Sequence, residues 1–424
     1  MQKRRIHQNR TQEWLIVIEQ QEKYTLIARG SSHIRYFQKL AEQTSLNISV
    51  VKISNNWFSP ISARHWALAK SVDIDALVNP HLLKKAKKHQ KIYNSFIWPF
   101  YEKVSRWFTK LNIAKSSALI EKEGADVVGV WNGQKQPSSY IAAAARALKK
   151  DVVYFENGLF PDSTTCDWSG VNCENSLPLN KDFYKQFYDN KALPCELVPR
   201  KPVREKACGV KARELPERYI FVPFQVETDS QIISNSPWIR NMAQFYQHLL
   251  NIIDKVDDPT LHIVIKEHPS ESVRHDTLHN KHERILFANH CETQELIERS
   301  LAVITVNSTV GVESLLLDKP VVVLGKACYG IEGITKLVRN EAEMLKVVKN
   351  IELIEIDAEA KCGYLNFMYN HYIIPTTWKN IDSQHVEALT KRLLKQDAFS
   401  SFISNSANCE SVTNTMAQSE HKFA

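Results

Sequence analysis

The sequence predicts an α/β protein made of two doubly wound parallel-sheet domains that face each other across a cleft. Three observations predict it. Apolar runs of strand length alternate with helical periods in both halves of the chain. Between the halves, residues 176–217 are rich in proline and charge and carry little regular apolar period. At 424 residues the chain is also longer than one hydrophobic core usually serves. The expected division is a first domain over 1–210, a second over 211–355, a C-terminal helical segment over 356–396 and a disordered tail over 397–424.

The elements follow in order. WLIVIE (14–19) and NISVVKI (47–53) read as strands around a helix that begins near Ser31. Residues 62–122 are helix-rich. Their aromatic anchors, Trp66, Phe96, Trp98, Phe100, Tyr101, Trp107 and Phe108, suit a core or an interface better than a cofactor box. ADVVGVWNG (125–133) is a buried strand running into a polar loop, 138–149 an alanine-rich helix, and DVVYFENG (151–158) the next strand. After the break, RYIFVPFQ (218–225) restarts the alternation. Helix 238–254, strands LHIVIKEHP (261–269) and RILFAN (284–289), and helix 293–300 continue it. VITVNSTVGVESLLLDKPVVVLG (303–325) then reads as strand, polar turn, short helix and strand. Residues 380–396 form an amphipathic helix, and the chain from Asp397 is rich in Ser, Asn and Thr.

Composition excludes several classes. No apolar run approaches the roughly 18–20 residues that span a bilayer, and the basic N-terminus has no apolar stretch behind it, so it does not read as a secretory signal. Eight cysteines are scattered without a C-x-x-C pair or zinc-site spacing, which suits free thiols in a reducing cytoplasm. The net charge of +7 is modest for this length. Much of it sits in HLLKKAKKHQK (81–91), which reads as a solvated helix face, with peripheral contact to an anionic membrane as the alternative. Nothing resembles a nucleic-acid-binding module, so nucleic acid is not expected as a partner.

In open α/β sheets ligands sit at the C-terminal ends of strands, and each candidate motif falls at such an end. The turn after 303–306 offers Asn307, Ser308, Thr309 and Gly311, with Glu313 one helical turn on, where it could meet ribose hydroxyls. Gly311 would let a ligand approach the backbone. The strand at 261–266 runs into Lys266, Glu267, His268 and Pro269, and Lys266 and His268 could neutralise phosphate charge. PFQVETDSQI places Gln225, Asp229, Ser230 and Gln231 at the same mouth. In the first half, WNGQKQPSS and FENGLFPDSTTCDWSGVN hold Asn132, Glu156, Asp162, Asp167 and Asn172. Two of these carboxylates, Glu156 and Asp167, could act as nucleophile and acid/base on a sugar, with Gly158 and Gly170 turning the chain to bring them together. Turn and cap formation is the competing reading for Asp162 and Asp167.

With FENGLFPD…GVN at 155–172, VPFQVETDSQI…SPW at 222–238, IKEHP at 265–269 and TVNSTVGVESLLLDKPVVVLGKACYGIEGIT at 305–335, the chain resembles the capsule polysaccharide synthesis family. Within it, the likeness is to the KpsS/LipB and KpsC group of bacterial retaining β-Kdo glycosyltransferases, and most of all to the KpsS type. The resemblance covers roughly residues 125–340. It implies a GT-B fold of two Rossmann-like domains with a CMP-sugar donor held mainly by the second. His268 and Pro269 would serve the CMP phosphate, Asn307, Ser308 and Thr309 the phosphate or nucleotide, and Glu313 the ribose or base. Such enzymes need no catalytic metal or cofactor, and the chain lacks a clear D-x-D motif.

Two motifs depart from the family. Glu156-Asn157-Gly158 stands where the KpsC branch has Glu-Asp-Gly, and Leu159-Phe160-Pro161-Asp162 stands where KpsS-type chains tend to carry Leu-Arg-Pro-Asp. The expected activity is transfer of Kdo from CMP-Kdo to a lipid-linked or glycan acceptor by a cytoplasmic enzyme, peripheral to the inner membrane and in contact with capsule-assembly proteins. Asp167 would be the nucleophile and Glu156 the acid/base or a support, or these two roles would be exchanged, and His268 would stabilise the departing phosphate. Another donor (CMP-sialic acid or a UDP-sugar), or a non-catalytic role in capsule assembly or export, are the alternatives.

Overall fold

The computed structural model describes residues 21–54, 60–190, 193, 214–271 and 275–406. In the first half the elements are β1 (Lys23–Ala28), α1 (Ser31–Gln43), β2 (Asn47–Lys52), α2 (Ala63–Ser71), α3 (Ile74–Lys88), α4 (Gln90–Tyr93) and α5 (Trp98–Glu123). They continue with β3 (Val127–Trp131), α6 (Ser138–Ala147), β4 (Asp151–Asn157), β5 (Ser163–Asp167) and α7 (Lys181–Lys185). The second half contains β6 (Tyr219–Pro223), α8 (Ser230–Ser234), α9 (Met242–Ile253), β7 (His262–Lys266), β8 (Ile285–Phe287) and α10 (Thr293–Glu298). After these come β9 (Ala302–Thr305), α11 (Val310–Leu316), β10 (Val321–Val323), β11 (Lys336–Leu337), α12 (Glu341–Lys349), α13 (Ala358–Phe367), β12 (Ile374–Pro375) and α14 (Ser383–Leu393).

These elements build two six-stranded sheets, ordered β12-β5-β4-β3-β1-β2 and β11-β10-β9-β6-β7-β8. The second is parallel throughout, which explains its near-continuous apolar strands: both faces are covered by helices. One face packs with α9 and α12 around Ile220, Val222, Ile263, Ile265 and Ile304, and the other buries Tyr219, Phe221, Val264 and Val303. In the first sheet β1 to β4 are parallel, and α2, α3, α5 and α6 cover one face. Two Rossmann-like domains in this arrangement form the expected two-domain α/β fold.

Several expectations are corrected. The strand expected at 14–19 lies outside the described residues, and the strand that pairs with β2 is KYTLIA, β1. The segment after β4, expected as a loop turning at Gly158 and Gly170, is a hairpin: β5 runs antiparallel to β4, with Tyr154 opposite Asp167 and Asn157 opposite Thr164. Gly158 closes that hairpin by donating to the Ser163 carbonyl at 2.9 Å. A Cβ there would lie 1.8 Å from Ser163 Oγ, so only glycine fits.

The break at 176–217 also contains structure. Helix α7 packs on α13, and its Tyr184 is fully buried in an aromatic core that joins Phe160 of the first half to Val312, Leu315 and Phe367. The C-terminal segment is no appendage. β12 completes the first sheet beside β5, and Val386, Leu389 and Leu393 of α14 cover that sheet's second face with Leu26, Val153 and Phe155. Nor does disorder begin at Asp397: residues 398–406 are helical, Asp397 accepts from the Ser400 amide at 3.1 Å, and Phe399 is buried. Fully buried Arg392 pairs with Asp397 and donates to the carbonyls of Cys166, Tyr372 and His371.

Candidate functional site

The second sheet reverses direction of growth between β6 and β9: the chain goes from β6 to β7 and β8 on one side, then returns to lay β9, β10 and β11 on the other. The crevice at such a switch point is where α/β sheets bind ligands. Gln225, just past β6, and Asn307, just past β9, meet across it. Gln225 Nε2 donates to Asn307 Oδ1 at 2.9 Å, and its Oε1 accepts from the Asn307 amide at 3.1 Å. Asn307 Nδ2 donates to the carbonyls of Gln231 and Asn235. Asn307 lines the cleft, and its amide group is braced by the protein, so its side chain also holds the turn.

The same turn presents Ser308 and Thr309 to a cleft of about 380 Å³ between the domains. Gln225, Asp229, His268 and Ser270 of the second domain line it, with Leu159, Asn172 and Cys173 of the first. Nδ1 of His268 accepts from the Ser270 amide at 3.1 Å, which puts the proton of the neutral ring on Nε2. Glu267 beneath it accepts from Asn289 Nδ2 at 2.6 Å and the His275 amide at 3.2 Å, with His279 3.7 Å away. Burial pushes the Glu267 carboxyl up, but His279, Asn289 and the His275 amide outweigh it and leave it below the usual value. It therefore stands as a charged strut under the His268 loop, a role the sequence did not suggest.

Other expected site residues lie elsewhere. Lys266 is buried, and its ammonium donates to the Cys291 carbonyl at 2.6 Å and Thr293 Oγ1 at 3.1 Å. With Pro269 it lines a narrower hollow behind His268. Gly311 does not admit a ligand. A Cβ there would lie 2.4 Å from the Tyr329 ring, so the glycine makes room for Tyr329, whose hydroxyl donates to the Ser308 carbonyl. Glu313, half-buried on α11, does not line the cleft.

The carboxylates of the first domain separate. Because β5 is antiparallel, Asp167 lies at the end of the hairpin away from the mouth, fully buried. Oδ1 accepts from the amides of Ser169 and Gly170, and Oδ2 from the amide and hydroxyl of Ser176. A carboxylate without exposure and with both oxygens taken cannot reach a sugar; it shapes the 168–176 loop that carries Asn172 and Cys173 to the cleft. The nucleophile expectation is corrected accordingly. Asp162 is an exposed turn residue at φ +50°, outside the cleft lining. Glu156 lies at the C-terminal end of β4, half-exposed and, like Asp162, outside the cleft lining, accepting from Asn132 Nδ2 at 2.5 Å and the Asn157 amide at 2.9 Å. Beside this end of the sheet His33, Trp131 and Trp378 form a ring cluster, with His33 stacked on Trp131 at 4.2 Å and Trp378 donating to Asn157 Oδ1. Aromatic faces of this kind suit sugar stacking, and the distance between residues 33, 131 and 378 in sequence concealed them.

Much of the basic run 81–91 faces the domain boundary and not open solvent. Lys84, Lys85 and Lys88, with His81, line a cavity of about 190 Å³ between α3, the 134–136 loop and residues 228–233. Lys87 donates across the domain boundary to the carbonyls of Glu227 and Arg240. Lys135 bridges the domains to Asp229 at 2.9 Å. Ser230 lines this lysine cavity instead of the larger cleft. Burial and the neighbouring Lys135 and Lys88 lower the pKa of Lys84, and buried Gln134 Oε1 and Gln136 Nε2 have no hydrogen-bond partner. Crowded ammonium groups beside unmet polar atoms suit an anionic guest.

The family model for capsule polysaccharide biosynthesis proteins matches residues 200–353. Protein FixF of Sinorhizobium fredii is 31% identical over 332 residues, covering 77% of this chain and 79% of that protein. The chain belongs to the capsule polysaccharide synthesis family. The capsule polysaccharide export protein KpsS of Escherichia coli is 26% identical over 43% of this chain and 62% of its own length. Among solved structures, the β-Kdo 2,7 transferase KpsC of Thermosulfurimonas dismutans superposes at a TM-score of 0.43 with 16% identity, over 81% of this chain and 89% of that one. Among the described residues no three His, Cys, Asp or Glu side chains converge as a metal site.

Proposed function

We propose that this protein is a glycosyltransferase that moves Kdo from CMP-Kdo to a lipid or glycan acceptor during synthesis of a capsule or surface polysaccharide. The observation that carries the reading is the meeting of His268, Ser308 and Thr309 around the braced Gln225–Asn307 pair, at the switch point and in a cleft between two Rossmann-like domains. CMP would lie there. The Nε2–H of His268 would donate a hydrogen bond to the phosphate and stabilise its charge as CMP leaves, and the hydroxyls of Ser308 and Thr309 would bind its oxygens.

Glu156 is the carboxylate we assign to the sugar. In a retaining reaction one of its oxygens would bond to the anomeric carbon as the bond to the CMP phosphate breaks. The acceptor hydroxyl oxygen would then attack the anomeric carbon from the face CMP left, breaking the bond to Glu156 and passing its proton to the phosphate of the departed CMP. The lysine cavity supports an acceptor that carries an anionic group. No catalytic metal is invoked, so turnover should persist in EDTA.

Thermal-shift titration with CMP, UMP and UDP, followed by donor consumption with CMP-Kdo, tests the reading. It expects CMP to stabilise the protein and His268→Ala to weaken that effect. Preference for UDP would point to a UDP-sugar donor, and indifference to all three nucleotides would refute the transferase.

A further inference from the structure

We propose that the outer face of α4 and the first half of α5 is a docking surface for an anionic lipid bilayer. This goes beyond the transferase reading and does not depend on it. Thirteen large hydrophobic side chains are exposed among the described residues, and nine of them lie between residues 83 and 108. Phe96 is 93% exposed, Phe100 69% and Trp107 56%.

The pattern is helical. Ile97, Phe100, Val104, Trp107 and Phe108 recur at intervals of three and four along α5 and make one stripe about 17 Å long at 1.5 Å per residue. The second half of the same helix buries Ile113, Ala114 and Ile120 in the first domain's core. In the first half Trp98 and Tyr101 also face that core, so the helix is packed along its inner side and its outer side is bare. Scattered exposed apolar residues need no explanation, but a contiguous aromatic stripe marks an interaction surface.

Charge selects lipid as the occupant. Lys91 and Lys103 flank the stripe exposed and Lys110 half-exposed, and among the described residues none of the three has a carboxylate partner. The nearby acids are engaged: Arg106 binds Asp75 at 2.8 Å and Glu102 at 3.5 Å, and Trp98 Nε1 donates to Glu102 at 2.7 Å. Aromatic and aliphatic side chains rimmed by unpaired lysines match the acyl–headgroup boundary of an anionic leaflet. No described helix is long and apolar enough to cross a membrane, so α5 would lie in the plane of the interface. This moves the lipid contact from Lys84, Lys85, Lys87 and Lys88, which face the domain boundary, to the aromatic stripe that follows them.

The test is co-sedimentation of the full chain with vesicles of 30% phosphatidylglycerol in phosphatidylcholine, and with phosphatidylcholine alone. Wild type should pellet with the anionic vesicles and at least tenfold less with the neutral ones. The triple variant Phe96→Ser, Phe100→Ser, Trp107→Ser alters only exposed side chains. It should keep the wild-type melting temperature and CMP response yet bind anionic vesicles at least tenfold more weakly. Lys103→Glu with Lys110→Glu should weaken binding at low salt and leave little difference at high salt. Equal pelleting of wild type and the triple variant would overturn the proposal. So would a wild-type dimer that ignores vesicles and becomes monomeric in the triple variant, since a second copy would then cover the stripe.

Discussion

Asp167→Asn changes one oxygen of a fully buried carboxylate into an amide and leaves its shape alone. In the folded protein Oδ1 takes two amides, at 2.7 Å and 3.3 Å, and Oδ2 takes the Ser176 amide at 3.0 Å and its hydroxyl at 2.8 Å. With the amide oxygen kept on the Ser169–Gly170 side, the new NH2 faces the Ser176 N–H, donor against donor. The hydroxyl can turn and accept, so one buried amide goes unmet, at a cost of about 1–3 kcal/mol. Asp167→Ala strands three backbone amides and should cost roughly 3–5 kcal/mol. For a domain of this size each kcal/mol moves the midpoint by about 2–4 °C, so the asparagine variant should melt about 2–12 °C lower and the alanine variant roughly 6–20 °C lower. Scanning fluorimetry, paired with donor consumption well below the melting range, reads both quantities. Turnover in Asp167→Asn should stay within about tenfold of wild type, because the carboxylate acts through the loop bearing Asn172. A variant that melts with wild type while losing a thousandfold or more in turnover would refute the reasoning and restore Asp167 as the nucleophile.

Glu156→Gln should do the opposite, leaving the melting temperature nearly unchanged while donor consumption falls by at least about a hundredfold; wild-type turnover in that variant would remove Glu156 from the chemistry. Gly311→Ala must push the Tyr329 ring off its 2.4 Å approach, costing about 1–3 kcal/mol. CMP affinity should fall with it, because Tyr329 holds the Ser308 carbonyl; calorimetry with CMP checks this. Asp229 has a predicted pH signature. Burial pushes its carboxyl up, but Lys135 and the Gln231 amide more than offset that, so its pKa lies below the ordinary aspartate value. A depressed pKa means the Asp229–Lys135 tie is intact above the ordinary aspartate range and is lost as pH falls through the folded-state value. Both side chains are partly exposed, so the effect is small and screened by salt. Melting curves of wild type and Asp229→Asn should converge toward acid pH.

The second domain was legible because its strands announce themselves. YIFVP, HIVIK and AVIT are apolar on both faces, and their polar C-terminal ends fall where a parallel sheet gathers them. Location was therefore readable while role was not: Gln225 and Asn307 sit at the expected mouth, but they satisfy each other. The hairpin strand β5 was illegible for a physical reason. Ser163, Thr164 and Thr165 are small and polar, and they are buried only because their hydroxyls find the carbonyls of Phe160, Thr376 and Asn157. One of those acceptors lies 212 residues away. Missing the hairpin reversed the direction of the chain and misplaced Asp167. The lysines at 84, 85 and 88 gave a correct charge and no direction, since helical spacing does not say which face meets a second domain.

The return of the chain to the first sheet has a consequence for the timing of synthesis. β12 pairs with β5, and α14 seals the sheet's second face over Leu26 and Phe155, yet both leave the ribosome about two hundred residues after β5. At about 5–20 residues per second this leaves that face covered by α1 alone for on the order of 10–40 s, while the second domain is already being made. α14, with Arg392 reaching back to the Cys166 carbonyl, acts as the latch that ends that exposure.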